Sequence, residues 1–268
     1  MNAVAINPFY AARLKRFGRA RSERRKPQVL DLFSGIGGFS LGFDRAGFQT
    51  VAFCEIDPFC RRVLNRRWPT TPVYDDIRQL NQRRLHHDGI KRIDTICGGY
   101  PCQPFSVAGE RRGEADPRHL WPEMHRLIRE IRPRWVVCEN VDGHVECGLD
   151  SVLSDLEAAD YACWPFVIPA CAVGAPHRRD RVWVIAHAAG VGRTQFGPPR
   201  LPHAEDLFAA EVWRELPSPF TCRSDDGIPF LMDRLRSLGN AVVPQIPEVI
   251  GRSILMFERQ SRDARMAA

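Results

Sequence analysis

Cys102 sits in "GGYPCQPFSVAGE" (98–110), between Pro101 and Pro104 and directly after an apolar run. Proline fixes the backbone on either side of a residue and so fixes the direction of the thiol between them. A thiol presented in this way is a candidate nucleophile. The next apolar run ends in "ENV" (139–141), where Glu139 can serve as a proton donor. Further on, "HRRDR" (177–181) supplies the cations Arg179 and Arg181. Nucleophile, acid and cation together form a set that can attack an electron-poor carbon and manage the charge that follows.

A second set of residues reads as a binding site. In "DLFSGIGGFSLGF" (31–43), Gly35, Gly37 and Gly38 fall in a turn from strand to helix, where backbone must come close to a ligand. Glu55 follows twenty residues after Gly35, at the end of the next apolar run, placed to accept hydrogen bonds from ribose hydroxyls. A nucleoside-containing cofactor is implied. The spacing departs from the dinucleotide pattern G-x-G-x-x-G, because Ser40 occupies its last position. "YDDI" (74–77) adds Asp76 for an adenine amino group and Ile77 for the ring face.

These residues need a scaffold that brings them to one edge. Strands are predicted over 29–33, 50–55, 93–99, 135–141, 163–168 and 181–186, and helices over 38–47, 58–68, 120–131 and 150–160. Asp57 followed by Pro58 is a cap and first-turn pair for the second of these helices. Such alternation is the signature of a parallel sheet with crossover helices, an α/β Rossmann-like fold whose ligands lie at the carboxyl edge of the strands. The alternation stops near Gly190, and 190–233 is rich in proline and glycine, an irregular insert too long for a simple loop. Helical character returns over 234–260. The resulting division is a basic, flexible arm (1–26), a main domain (27–189), the insert (190–233), a C-terminal segment returning to the main domain (234–260) and a tail (261–268).

Composition narrows the partners. The chain has 268 residues and a formal charge of +6, and its basic residues are nearly all arginine, the side chain that grips phosphate and base edges in a fork. The arm, with "ARLKRFGRARSERRK" (12–26), is suited to lie on a phosphate backbone. Of nine cysteines none forms a C-x-x-C pair, and Cys54, Cys97, Cys138 and Cys163 fall within predicted strands as buried thiols, so neither a disulfide framework nor a metal site is expected. The apolar runs are far shorter than the roughly 20 residues that span a bilayer, and no leader pattern opens the chain. A cytoplasmic protein without membrane association is expected.

The motifs "DLFSGIGGF", "GGYPCQPFS", "ENV", "RRDR" and "GNAVVP", in that order over about residues 28–252, resemble the signature of the cytosine-C5 DNA methyltransferase family. The resemblance implies S-adenosylmethionine as cofactor and a cytosine flipped out of double-stranded DNA as substrate. It further implies Cys102 as the thiolate that attacks carbon 6, Glu139 as the acid at N3, and Arg181 at the O2 edge. Cofactor contacts carried over from the family are Phe33, Gly35, Ile36, Gly38, Glu55, Ile56, Asp76, Ile77, Gly99, Pro101 and Leu120, with Asn240, Ala241 and Val242 from a segment expected beside the first strand. The insert takes the place of the family's target-recognition region. His177, Ile56 and Ala241 stand where the family more often has glutamine, a larger aromatic and serine. A monomer is expected, and a restriction-modification setting would pair it with a cognate restriction endonuclease. Rival readings are a transfer-RNA methylase of the same family, a binding protein that has lost catalysis, and a nicotinamide dehydrogenase.

Overall fold

The computed structural model describes residues 25–101, 120–188 and 231–267. Nearly all of the expected arm and of the insert, as well as Cys102 itself, lie outside the described residues. Seven strands form one sheet: β1 (Gln28–Leu32), β2 (Gln49–Cys54), β3 (Val73–Tyr74), β4 (Thr95–Gly98), β5 (Trp135–Val141), β6 (Tyr161–Pro169) and β7 (Asp180–Ala188). Their order is β3-β2-β1-β4-β5-β7-β6. The chain builds outward from β1 to β3, then returns to place β4 on the other side of β1. The carboxyl ends of β1 and β4 flank this reversal, the place where open α/β sheets open a crevice for ligands.

The all-parallel expectation is corrected on one side. Strands β1 to β5 pair in parallel, but β7 runs antiparallel to both β5 and β6. Only a short 3-10 turn (Ala170–Val173) and a few residues join β6 to β7. A parallel return needs a crossover of a dozen or more residues, so this short link forces a reversal.

The helices α1 (Gly38–Ala46), α2 (Pro58–Arg67), α3 (Gln82–His87), α4 (Trp121–Ile131), α5 (His144–Cys147), α6 (Leu149–Ala158), α7 (Leu231–Asn240) and α8 (Gln245–Ala267) complete the described elements. Asp57 caps α2 as expected, its Oδ1 accepting from Phe59 N at 2.7 Å and Cys60 N at 3.0 Å. Successive strand residues face opposite sides, and each side has its own core. Leu30, Leu32, Val136 and Cys138 pack with Met124, Leu127 and Ile128 of α4 and Val152 and Leu156 of α6. Val29, Val137, Trp135 and Trp183 pack with Phe39 and Phe43 of α1 and Ile250 and Ile254 of α8. Helix α8 continues to Ala267, through the residues set apart as a tail.

Cys54, Cys97 and Cys138 are buried and Cys163 partly so. Burial pushes the Cys54 thiol up to about 12 and raises the other three, which keeps them inert thiols inside the sheet. Among the described residues no group of three or more histidines, cysteines or carboxylates is arranged to hold a metal ion, and no helix is long and apolar enough to cross a membrane.

Candidate active site

The carboxyl edge gathers the predicted residues from several strands. After β1 the backbone turns sharply: Phe33 and Gly35 have φ of 53° and 54° and Gly37 of 87°, and Gly37 N donates to Ser34 O at 2.8 Å. Below the turn, Asp31 is fully buried and its Oδ2 accepts from Ser40 Oγ at 2.6 Å and Ser40 N at 3.2 Å, which ties β1 to the first turn of α1. Burial raises the Asp31 carboxyl to about 7 against the pull of these two donors.

The glycines of this turn serve two purposes. A Cβ on Gly35 would meet nothing within 4 Å, so the turn is open on that side, as a bound ligand requires. A Cβ on Gly38 would lie 2.6 Å from the carbonyl oxygen of Val242, so this glycine admits the segment between α7 and α8 rather than a ligand. That segment therefore reaches the site by packing on the start of α1, with Val242 and Val243 against the core cluster that includes Val29 of β1. Val242 is half-buried there and Asn240 exposed.

Glu55 follows β2 and is nearly buried. Its Oε2 accepts from Gly35 N at 2.6 Å and its Oε1 from Asp57 N at 2.7 Å. Burial raises its pKa, and the same backbone N–H groups oppose the rise. Each carboxylate oxygen has a further lone pair, so the group fits a pair of ribose hydroxyls. Ile56 beside it is 65% exposed, free to cover a ring. Asp76, after β3, is held by Arg78 N at 3.0 Å and Arg78 Nε at 3.0 Å, and these bonds hold its carboxyl below the usual range. Ile77 is only 4% exposed and packs in the core with Tyr74 and Leu80, and its carbonyl oxygen accepts from Arg126 Nη2 at 2.9 Å, so neither its side chain nor its carbonyl faces a ligand. The open turn, the doubly bonded Glu55 and the exposed Ile56 together fit a nucleoside.

Two of the catalytic candidates, Glu139 and Arg181, meet on the other side of β1. Glu139 lies at the end of β5 and Arg181 at the start of β7, and because β7 is antiparallel both fall on the same edge. Glu139 is paired with Trp183 across the strands, so Arg181 is its diagonal neighbour on the same face. Arg181 Nε lies 3.0 Å from Glu139 Oε1, with the two side chains 22% and 13% exposed. Arg181 Nη1 donates to Asp180 O at 2.7 Å, which fixes the guanidinium plane. Arg179 has φ of 38°, and burial, then the neighbouring Arg181, lower its pKa. Burial raises the Glu139 carboxyl above the ordinary glutamate value, while Arg181 and Arg179 pull it down.

The stem of the Cys102 segment comes up against this pair. A Cβ on Gly99 would lie 2.9 Å from Glu139 Oε2, so the chain leaving β4 runs directly beside the carboxylate, with Pro101 exposed. Asn140, the neighbour of Glu139, turns to the opposite face and donates from Nδ2 to Tyr100 O at 3.2 Å. The ring of Tyr100 is tilted at 52° to that of Trp121 with centroids 5.1 Å apart, and its hydroxyl is 2.8 Å from His144 Nε2. Leu120, half-buried, immediately precedes α4. Asn140, Tyr100 and His144 were not singled out by the sequence. The place of Asn140 directly after Glu139 was the available signal.

The chain that builds this edge has known relatives. Residues 28–219 match the family model of C-5 cytosine-specific DNA methylases, and the chain belongs to that family. Among its relatives, the Type II methyltransferase M.HgiCII of Herpetosiphon aurantiacus is 34% identical over 187 residues, covering 66% of this chain and 41% of that protein. M.AquIA of a Picosynechococcus strain is 34% identical over 208 residues, covering 69% of this chain and 83% of that protein. In structure, a DNA modification methyltransferase encoded within an E. coli prophage superimposes with a TM-score of 0.54 at 31% identity, covering 61% of this chain and 47% of that one. A DNMT2 of Spodoptera frugiperda, at 24% identity and a TM-score of 0.53, shares the fold. The chain spans less than half the length of M.HgiCII.

Proposed function

We propose that the protein transfers a methyl group from S-adenosylmethionine to carbon 5 of a cytosine flipped out of double-stranded DNA, through a covalent bond between Cys102 and carbon 6. The observation that carries this reading is the Glu139–Arg181 pair, 3.0 Å apart and set against Gly99, three residues before Cys102.

Carbon 5 of cytosine is too poor a nucleophile to react unaided. Addition of the Cys102 thiolate to carbon 6 makes carbon 5 the nucleophilic end of an enamine. Electron density then moves onto the ring, and Glu139, whose proton is held more tightly by burial, delivers it to N3. The Arg181 guanidinium has more donors than its bonds to Glu139 and Asp180 use, and these suit the O2 oxygen. Arg179 adds positive charge beside the same carboxylate. The bound cofactor supplies an electrophilic methyl on a sulfonium, which carbon 5 accepts. Loss of the carbon 5 proton to a base, such as water, restores the double bond as the Cys102 sulfur leaves as thiolate, and the N3 proton returns to Glu139. No metal has a role in this scheme.

On the cofactor side, Glu55 would hold the ribose, Ile56 the adenine face, and Asp76 and the Ile77 backbone N–H the adenine edge. Phe33, Gly35, Ile36, Gly99, Pro101, Leu120 and the Asn240–Val242 segment would close the remaining sides. The basic arm would supply sequence-independent affinity for phosphates and residues 190–233 would read the target. A cognate restriction endonuclease would place the protein in a Type II restriction-modification system, the class to which M.HgiCII and M.AquIA are assigned by name. Bisulfite sequencing of DNA from cells expressing the protein tests the reaction and its base together. DNA containing 5-fluorocytosine should trap the protein on Cys102, since fluorine cannot leave as a proton does. An adduct on another cysteine would overturn the assignment.

A further inference from the structure

Trp68 follows α2 and belongs to none of the motifs discussed above, yet it lies under the glycine turn. A Cβ on Gly37 would come within 2.6 Å of both Cη2 and Cζ3 of its indole and within 3.1 Å of Leu64 Cδ2. The ring cannot swing aside. Its Nε1 donates to Asp44 Oδ2 of α1 at 2.8 Å, its centroid is 5.1 Å from the Phe53 ring of β2, and the Arg67 guanidinium lies 5.2 Å over it. Asp44 is itself tied to β2, accepting at Oδ1 from Thr50 N and Oγ1 at 3.4 Å each. One indole thus bridges α1, β2 and the end of α2, and its far edge abuts the backbone at Gly37.

The height of that backbone matters to the binding edge. Gly37 receives Leu41 N at 2.9 Å as the first bond of α1 and donates to Ser34 O, while Gly35, two residues before it, donates to Glu55 Oε2. A wall fixed under Gly37 fixes the distance between the open side of Gly35 and the Glu55 carboxylate. We propose that Trp68, clamped by Asp44, is a positioning residue for the cofactor, acting by holding the Gly35–Gly37 turn at the height that lets Glu55 and the turn engage one ligand together. The inference rests on the S-adenosylmethionine reading above.

The test is calorimetric titration of the full chain with S-adenosylmethionine and S-adenosylhomocysteine, well below the melting temperature of each variant. Wild-type protein that binds neither would overturn the cofactor reading and this inference with it. Given wild-type binding, Trp68→Phe shortens the ring and removes the bond to Asp44, and it should weaken binding about tenfold while kcat at saturating cofactor changes by less than about threefold. Gly37→Ala should weaken binding more, from its positive φ and its clash with the indole. In the double variant the clash is relieved while the φ cost remains, so binding should recover relative to Gly37→Ala alone. Asp44→Asn, which loosens the clamp without opening a cavity, should show a smaller loss in the same direction, and it carries the test if Trp68→Phe does not fold. Folded Trp68→Phe with wild-type affinity, or a double variant no better than Gly37→Ala, would show a merely structural tryptophan and overturn the proposal.

Discussion

Glu55 at the end of β2 and Glu139 at the end of β5 are both carboxylates driven toward the protonated form by burial, but different groups oppose that drive. Glu55 is held by two backbone N–H groups from residues close to it in the fold, Gly35 and Asp57. Glu139 is held by guanidinium groups distant in sequence, Arg181 in the neighbouring strand β7 and Arg179 just before it. Backbone donors come with the turn itself and carry no net charge, so the first arrangement suits a group that only binds. A charged partner can trade places with developing charge on a substrate, so the second suits a group that moves a proton. Asp31, buried beneath the glycine turn with Ser40 as its donor, belongs with Glu55 in this contrast: it braces the turn and meets no ligand.

The contrast is most exposed at Glu139. Glu139→Gln keeps the shape and removes the transferable proton, so methyl transfer at saturating cofactor should fall by about 10²–10⁴-fold with cofactor affinity unchanged in calorimetry. A matching loss of affinity would mean that the two ends are not separate. Next is the buried brace. Asp31 holds its proton more tightly folded than unfolded, so its contribution to stability is complete below pH 3.8 and is lost as the pH rises to about 7. Urea unfolding of the wild type should show this loss, on the order of 4 kcal/mol, and Asp31→Asn should remove most of the slope. Glu55 and Glu139 slope the same way and leave a remainder. Gly38→Ala should cost about 1–3 kcal/mol in thermal unfolding, because its methyl meets the Val242 carbonyl, and cofactor affinity should fall with it. The smallest effect is expected at Glu55→Ala, about tenfold in cofactor affinity, with the chemical step at saturating cofactor little changed. Unchanged affinity would remove Glu55 from the site.

Much of the cofactor edge was legible because it is local. Gly35, Gly37, Gly38 and Glu55 lie within one strand-helix-strand unit, and the interaction that joins its two ends, Gly35 N to Glu55, spans 20 residues. The apolar runs located β1, β2 and β4 to β7 within a few residues, and Asp57-Pro58 marked the start of α2. Strand β3 has only two residues, Val73 and Tyr74, too few for any periodicity. The assignment of Ile77 to a ring face missed its burial, since one apolar residue after a short strand reads alike whether it faces a ligand or the core. Trp68 carried no signal, because its partners Gly37, Asp44 and Phe53 are brought to it only when α1, α2 and β2 pack together.

The sequence by itself determined the α/β class, the residue types at the edge and the five ordered motifs, because strand period, turn chemistry and capping act over a few residues. Only the tertiary structure decided that Arg181 meets Glu139. In the parallel sheet that the alternation suggests, the start of a strand lies at the amino edge, the whole length of the sheet away from Glu139. The short link after β6 reverses β7, and that reversal carries Asp180 and Arg181 to the carboxyl edge opposite Val141. Strand direction is set by how much chain is available to cross the sheet and by which neighbours complete the two cores, and no single motif contains that information.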